Sequence, residues 1–207
     1  MLFSYLTYLT YHKTMKKIAS TGLIACALLF GFSCNQKQEP LEEAQEVNEQ
    51  KAEDTAMEDN MTDLSDFMTK AASGGMMEVE LGNLAQEKAR NADVKSFGQM
   101  MVTDHTKANN ELKALAATKN ITLPDSMSSD HMDNVSELRQ KTGAEFDKAY
   151  MDLMVEDHEE DVKLFDEAAQ NLEDPEVKAF ASKTVVTLRQ HLDRAKQVKD
   201  MLDKQNK

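Results

Sequence analysis

Four ionisable side chains have the types and positions that suit one divalent transition-metal ion. They are one carboxylate and three imidazoles, namely Glu78, His105, His158 and His191. Each stands among apolar residues that recur every three or four positions, so each faces the buried side of a helix with about 100° of rotation per residue. A carboxylate with three histidines is a chemically sensible ligand set for zinc, copper, iron or manganese.

The four residues also stand at similar heights along their predicted helices. Each is within about two residues of its helix midpoint, or about 3 Å at the α-helical rise. Midpoints of antiparallel helices lie level, so we expect the four side chains to converge. A lone buried carboxylate is costly unless it is paired or neutralised. Either a bound metal ion or a metal-free network, in which Glu78 pairs with a protonated histidine, removes that cost, and the sequence leaves both open.

Two aspartates directly precede two of these histidines, in the similar segments Met-Val-Thr-Asp-His and Met-Val-Glu-Asp-His. Asp104 and Asp157 each point about 100° away from the following histidine, so we do not expect them to ligate the same ion. Each is a candidate to accept a hydrogen bond from a histidine of a neighbouring helix and so fix its tautomer. The alternative is an ordinary acid at the edge of a helix interface.

Other metal chemistries fit the sequence less well. A standard di-iron oxidase or iron-storage site uses Glu-x-x-His on two helices. The positions three before the histidines are instead Val102, Val155 and Leu188, and carboxylates are too few. Methionines at helical spacing usually fill a core rather than bind copper(I). We assign no catalytic residue, and the sequence favours a non-enzymatic protein over an oxidoreductase.

Hydrophobic periodicity predicts four long helices that would position these residues. The first covers about residues 64–89, the second follows an N-cap at Asn91 or Asp93, the third follows a capping box at Thr142, and the fourth follows Asp174 as N-cap. About twenty residues, with a short helical pattern around Met132, separate the second helix from the third. We therefore predict an all-α, ferritin-like antiparallel four-helix bundle over residues 63–204, with a long crossover between helices 2 and 3.

Composition excludes several functional classes. The chain has 207 residues, with 24 basic and 37 acidic side chains and a net charge of −13, which argues against nucleic acid as a partner. Both cysteines lie within the first 34 residues. The predicted bundle therefore has no cysteine nucleophile, thiol redox pair or cysteine-ligated metal.

The first 34 residues have the pattern of a bacterial lipoprotein signal. Met15, the possible true start, is followed by two lysines, and residues 18–33 form an apolar run that is too short to span a bilayer as a helix. Small residues precede Cys34, the predicted lipidation site, although a cleaved signal with a free thiol is the alternative. We predict an outer-membrane lipoprotein facing the periplasm or the cell surface, with the membrane as partner through its lipid anchor. No protein partner is predicted.

Residues 35–62 are expected to form a disordered acidic tether between the lipid and the bundle. They contain nine acidic residues against Lys37 and Lys51, and few large apolar side chains. Such a segment cannot offset its chain entropy by burying apolar surface.

Several short motifs along the chain resemble one bacterial family. These motifs are Asp66-Phe67, Gly74-Gly75 and Glu78, then Phe97-x-x-x-Met101-Val102-x-Asp104-His105, Phe146-Asp147-x-x-Tyr150, Asp157-His158 and Leu188-x-x-His191-Leu192. Together they are similar to the family known as domain of unknown function 4142, over about residues 62–203. The resemblance implies a ferritin-like helical bundle in exported, often outer-membrane-associated proteins, and it implies no settled activity.

The sequence thus leaves two main hypotheses. The first is a lipid-anchored envelope domain that binds one transition-metal ion in its core, for metal sensing, buffering or stress protection. The second is a non-enzymatic structural or interaction module whose Glu and His residues form a metal-free buried network.

Overall fold

The computed structural model describes residues 39–53 and 58–205, and all regular structure in these two ranges is helical. The helices are α1 (Pro40–Glu53), α2 (Glu58–Lys88), α3 (Ala92–Lys119), α4 (Ser129–Gln140), α5 (Gly143–Asn171) and α6 (Pro175–Gln205). The predicted all-α class is therefore confirmed for this part of the chain. The four long predicted helices correspond to α2, α3, α5 and α6, and the short pattern around Met132 corresponds to α4.

Side-chain caps explain where two of the long helices begin. Asn91 Oδ1 accepts a hydrogen bond from the Asp93 amide at 2.8 Å and caps α3. Asp174 Oδ1 accepts from the amides of Glu176 and Val177, both at 3.0 Å, and caps α6. These caps satisfy amides that have no partner within their own helix.

The capping box predicted at Thr142 is wrong. Thr142 is the N-cap residue of α5, but its side chain makes no capping hydrogen bond. A capping box needs helical backbone directly after the cap residue. Gly143 instead has a φ of 60°, a left-handed conformation that glycine adopts without strain.

The four long helices alternate in direction. The backbones of α2 and α3 approach closely at Gly82 and Gly98, where a Cβ on Gly82 would lie 2.7 Å from the carbonyl oxygen of Gly98. Ion pairs join α5 to α6 in antiparallel order, since Asp166 pairs with Arg189 and Glu159 pairs with Lys196. The absence of side chains at the two glycines allows the close approach of α2 and α3.

Helix α4 lies along α2 and fills the connection between α3 and α5. His131 near its start contacts Ser73, and Arg139 near its end pairs with Glu80. Contacts therefore advance in the same direction along both helices, so α4 runs parallel to α2. This path returns the chain to the end of the molecule at which α5 begins.

Apolar side chains form two clusters, one on each side of a polar centre. One cluster contains Leu81, Phe97, Met151 and Val198. The other contains Phe67, Leu112, Phe165 and Phe180. The four predicted metal ligands come from the helix turns between these two clusters, so they lie in the middle of the helical core.

The prediction of a disordered tether over residues 35–62 is wrong for α1 and for the beginning of α2. Ala44 and Ala52 are buried, and Asn48 exchanges two hydrogen bonds of 2.8 Å with the backbone of Thr122. Lys51 Nζ also donates to the carbonyl of Asn120 at 2.9 Å. Small side chains and specific polar contacts replace the large apolar residues whose scarcity suggested disorder. The domain therefore begins before residue 63.

The predicted signal, the start at Met15 and the lipidation of Cys34 lie outside the described residues. Among the helices that the structure describes, none combines the length and apolar character that crossing a bilayer requires.

Candidate metal site

Each of the four long helices contributes one ionisable side chain to a single buried cluster. Glu78 of α2 and His158 of α5 have no exposed surface, while His105 of α3 and His191 of α6 are 6% and 2% exposed. The structure thus brings together all four side chains that the sequence singled out as metal ligands. They converge because each lies on the apolar face of its helix, and because the four helices pack with these positions at similar heights.

The donor atoms of this cluster lie close together. His105 Nδ1 is 2.5 Å from Glu78 Oε2, and His158 Nε2 is 3.4 Å from Glu78 Oε1. The three imidazoles each offer one nitrogen within 4.8 Å of the other two. Nitrogens bound at 2.0–2.1 Å to a tetrahedral zinc ion are about 3.4 Å apart, so movements of about 1 Å bring the rings to ligand distance.

Several donor atoms of the cluster are buried without an aligned hydrogen bond. Within the described ranges, both oxygens of Glu78, Nε2 of His105 and Nδ1 of His191 lack such a partner when the carboxylates are ionised. The short contact between Glu78 and His105 is a close approach rather than a well-directed bond. Buried polar atoms normally have partners, and a metal ion is one partner that satisfies several convergent donors at once.

Asp104 holds His191 from outside the cluster. Its Oδ2 lies 2.9 Å from Nε2 of His191, so the imidazole donates this hydrogen bond and carries its proton on Nε2. Nδ1 of His191 is then the atom left for a metal. This is the orienting role that the sequence suggested for Asp104, since carboxylates commonly fix the tautomer of a ligating histidine.

Asp157 does not take the role suggested for it. It contacts the carboxyl group of Glu78, with which it shares a hydrogen bond when one of the two is protonated, and it accepts none from a histidine of another helix. Glu78, Asp157 and His158 each place one donor atom within 4.8 Å of the other two. Asp157 lies about 100° around α5 from His158. Helix α2 packs against that side of α5, so the Asp157 side chain points towards Glu78. Asp157 is therefore a candidate direct ligand.

Burial keeps the metal-free cluster neutral near pH 7. It raises the pKa of Glu78 to about 8, partly offset by the hydrogen bond from Asp157. Burial also lowers the pKa of His105 and of His191 to about 4, and that of His158 well below its usual value. The metal-free alternative was predicted as an ion pair of Glu78 with a protonated histidine. The 2.5 Å contact of His105 Nδ1 with Glu78 Oε2 brings such a pair together, whereas desolvation disfavours both charges, so this alternative stays a prediction. Neutral imidazoles are also the form that binds metals.

Two further residues beside the cluster were not selected from the sequence. Asp161 lines a small cavity together with Glu78 and His105, and burial, reinforced by the charge of Glu78, raises its pKa well above the usual value. Tyr150 is fully buried, and its hydroxyl has no partner among the residues described. Asp161 stands four residues after Asp157, and Tyr150 seven before it. At these helical spacings both residues lie on the same face of α5 as Asp157. That spacing was the sequence signal by which they could have been found.

The comparisons with known proteins agree with this architecture. The family model described as "domain of unknown function (DUF4142)" matches residues 46–198. This chain belongs to the DUF4142 family. The match includes all four clustered side chains, and it begins within α1, which supports the inclusion of that helix in the DUF4142 domain.

Two solved structures have a fold similar to that of this DUF4142 chain. A DUF305 fragment from Deinococcus radiodurans has a TM-score of 0.60 at 16% identity, covering 67% of this chain and 96% of the fragment. CopM in its Cu(II)-bound form has a TM-score of 0.58 at 16% identity, covering 66% of this chain and 95% of CopM. These likenesses show the fold alone. No curated protein matches the chain.

Proposed function

We propose that this DUF4142 domain binds one divalent transition-metal ion through His105, His158 and His191, with Glu78 completing the ligand set. The observation that carries the proposal is the meeting of buried donor atoms without aligned hydrogen bonds from four different helices. Asp104 would orient His191, and Asp157, a further candidate ligand, would add a second carboxylate beside Glu78. The role that fits a buried site of this kind is metal sensing, buffering or protection against metal stress.

Copper(II) and zinc(II) are the first ions to test. Imidazole nitrogen suits both, and a carboxylate is compatible with either. The fold likeness to CopM, which was solved with Cu(II) bound, supports copper as the first choice.

The wider setting of the domain is also part of the proposal. Four long helices that alternate in direction, with α4 along the connection between α3 and α5, support a ferritin-like bundle. The lipoprotein-type signal and Cys34 support anchoring in the bacterial outer membrane by lipid. The domain would then face the periplasm or the cell surface and act on metal ions outside the cytoplasm.

Metal titration of the purified chain, prepared without an affinity tag, tests the metal site. We expect one Cu²⁺ or Zn²⁺ per chain by calorimetry and mass spectrometry, and a loss of affinity of more than about tenfold in His105→Ala and His158→Ala. His131→Ala is the matched control, because His131 contacts Ser73 and lies outside the cluster. Substoichiometric metal, with the same affinity in all three variants, would contradict the proposal.

The second candidate is a structural module with a metal-free polar core. The hydrogen bond from His191 to Asp104 and the neutral state of Glu78 and the histidines favour it, because they lower the cost of burying the cluster without an ion. This candidate predicts that Glu78→Gln changes the free energy of unfolding, and that added copper or zinc stabilises neither the wild type nor this variant. A melting temperature that rises with a small excess of copper or zinc would count against it.

A further inference from the structure

A cleft on the surface of the domain adjoins the candidate metal site. It has a volume of about 430 Å³ and is lined by residues of α2 and α3 and by the loop that includes Leu123 and Pro124. Asn109 and Leu112 line this cleft and also the small internal cavity that Glu78 and His105 face. The two spaces therefore share a wall formed by these two α3 side chains.

The amide of Asn109 sits directly over Gly75. A Cβ atom on Gly75 would lie 2.0 Å from Oδ1 and 2.9 Å from Cγ of Asn109, so the amide occupies space that only a glycine leaves free. Within the described ranges the Asn109 side chain makes no hydrogen bond. Shape alone therefore holds it in place, and rotation of the side chain breaks no polar contact.

We propose that the cleft is the path by which the metal ion reaches the histidine cluster, and that Asn109 is the gate of this path. The inference rests on the proposed metal binding. The internal cavity has a volume of about 10 Å³, room for about one water molecule. An ion passes from the cleft only when the Asn109 amide swings off Gly75, and the amide oxygen is a group that an arriving cation can contact on the way.

A second depression offers a rival path but is much smaller. It lies between α3 and α6, has a volume of about 80 Å³ and shares Ala108 and Thr184 with the internal cavity. Two acids and two lysines line it, namely Asp104, Glu111, Lys107 and Lys183. The charges in the larger cleft balance in the same way, with Lys113 and Asp125. Charge therefore favours neither path, and the choice of the larger cleft rests on its volume of about 430 Å³.

Two adjacent glycines provide a matched test of the gate. Gly75→Ala forces the Asn109 amide aside, whereas a Cβ on Gly74 meets its nearest atom, Asp161 Oδ1, at an ordinary 3.7 Å. Both variants gain the same helix propensity. In stopped-flow experiments with Cu²⁺ and Zn²⁺, we expect Gly75→Ala to bind and release metal roughly tenfold faster, because entry scales with the open fraction of the gate. Since the association and dissociation rates change together, the Kd of Gly75→Ala should stay within about twofold of wild type. Gly74→Ala, the control, should have the rates and the Kd of wild type.

Substitutions of the gate itself complete the experiment and remain informative if Gly75→Ala does not fold. Asn109→Ala should accelerate uptake, while Asn109→Leu, which fills the same space with an apolar group, should slow it. Unchanged rates in both Asn109 variants, with binding still lost in His105→Ala, would overturn the gate and leave the metal site intact. Slower uptake in Thr184→Val alone would assign entry to the rival path. A chain that binds neither ion would overturn the gate together with the metal site.

Discussion

Nε2 of His191 lies 2.9 Å from Oδ2 of Asp104, which joins a buried imidazole of α6 to a carboxylate of α3 that is 40% exposed. The contact directs Nδ1 of His191 towards the other histidines. We expect Asp104→Asn to weaken Cu²⁺ or Zn²⁺ binding about tenfold, because an amide supports the imidazole less strongly than a carboxylate does. Calorimetric titration measures this change. Asp200→Asn, at an exposed position of α6, is the charge-matched control, and equal affinity in the two variants would show that Asp104 does not support the site.

Metal binding should release a proton near neutral pH. The ion binds the ionised form of Glu78, whose pKa is raised to about 8 by burial, so affinity should fall as pH drops below that value, by up to about tenfold per pH unit. His105 and His191, with pKa values of about 4, are already neutral and contribute no proton at pH 7. Calorimetry in buffers of different ionisation enthalpy counts the protons released. A count near zero in wild type, equal to that of Glu78→Gln, would refute this account.

The same groups give the metal-free protein opposite pH trends in stability. The pKa of Glu78 is raised in the folded state, so its contribution is complete below pH 4.5 and is lost as pH rises towards 8. The pKa values of His105 and His191 are lowered, so their contribution is complete above pH 6.5 and is lost as pH falls towards 4.

Glu78→Gln isolates the first of these two trends. Glutamine cannot ionise, so the variant should gain free energy of unfolding relative to wild type between pH 5 and pH 8, by an amount of the order of 2–5 kcal/mol. Urea denaturation in the presence of a chelator measures the difference at each pH. Parallel curves for the two proteins would show that Glu78 does not titrate in this range.

Close packing of α2 on α3 should make Gly98 intolerant of a side chain. A Cβ on Gly98 would lie 2.7 Å from Cβ of Ala85 and 2.8 Å from the carbonyl oxygen of Gly82, and backbone cannot move aside as a flexible side chain can. We expect Gly98→Ala to lower the free energy of unfolding by about 1–3 kcal/mol despite its better helix propensity. Urea denaturation checks this value. Gly74→Ala is the control and should be neutral or slightly stabilising.

Helix α1 should contribute to the stability of the domain. Asn48 is buried and makes two hydrogen bonds to the backbone of Thr122. Asn48→Ala should therefore lower the free energy of unfolding by about 1–3 kcal/mol, because both backbone groups lose their partner. Glu49→Ala, at the next and exposed position, should have little effect. Identical denaturation curves for the two variants would restore the view of this segment as a tether.

Sequence by itself was sufficient for the features that depend on a single helix. Asp174 caps its helix through local hydrogen bonds, so residue type and position predicted it, and the same reasoning left only Asn91 and Asp93 as candidates for the cap of α3. Glu78, His105, His158 and His191 were found because helical periodicity fixes the direction of a side chain relative to its own apolar face. Similar heights along antiparallel helices then predicted their meeting.

Only the tertiary structure decided the features that depend on how neighbouring helices pack. Asp157 contacts Glu78 rather than a histidine because α2 lies on that side of α5. Asn109 occupies the space above Gly75, and α1 docks through Asn48 on a loop some seventy residues further along the chain. The neutral state of the cluster likewise depends on burial, which arises when several helices close over the same groups. Periodicity describes one helix at a time, and these relations exist only between helices.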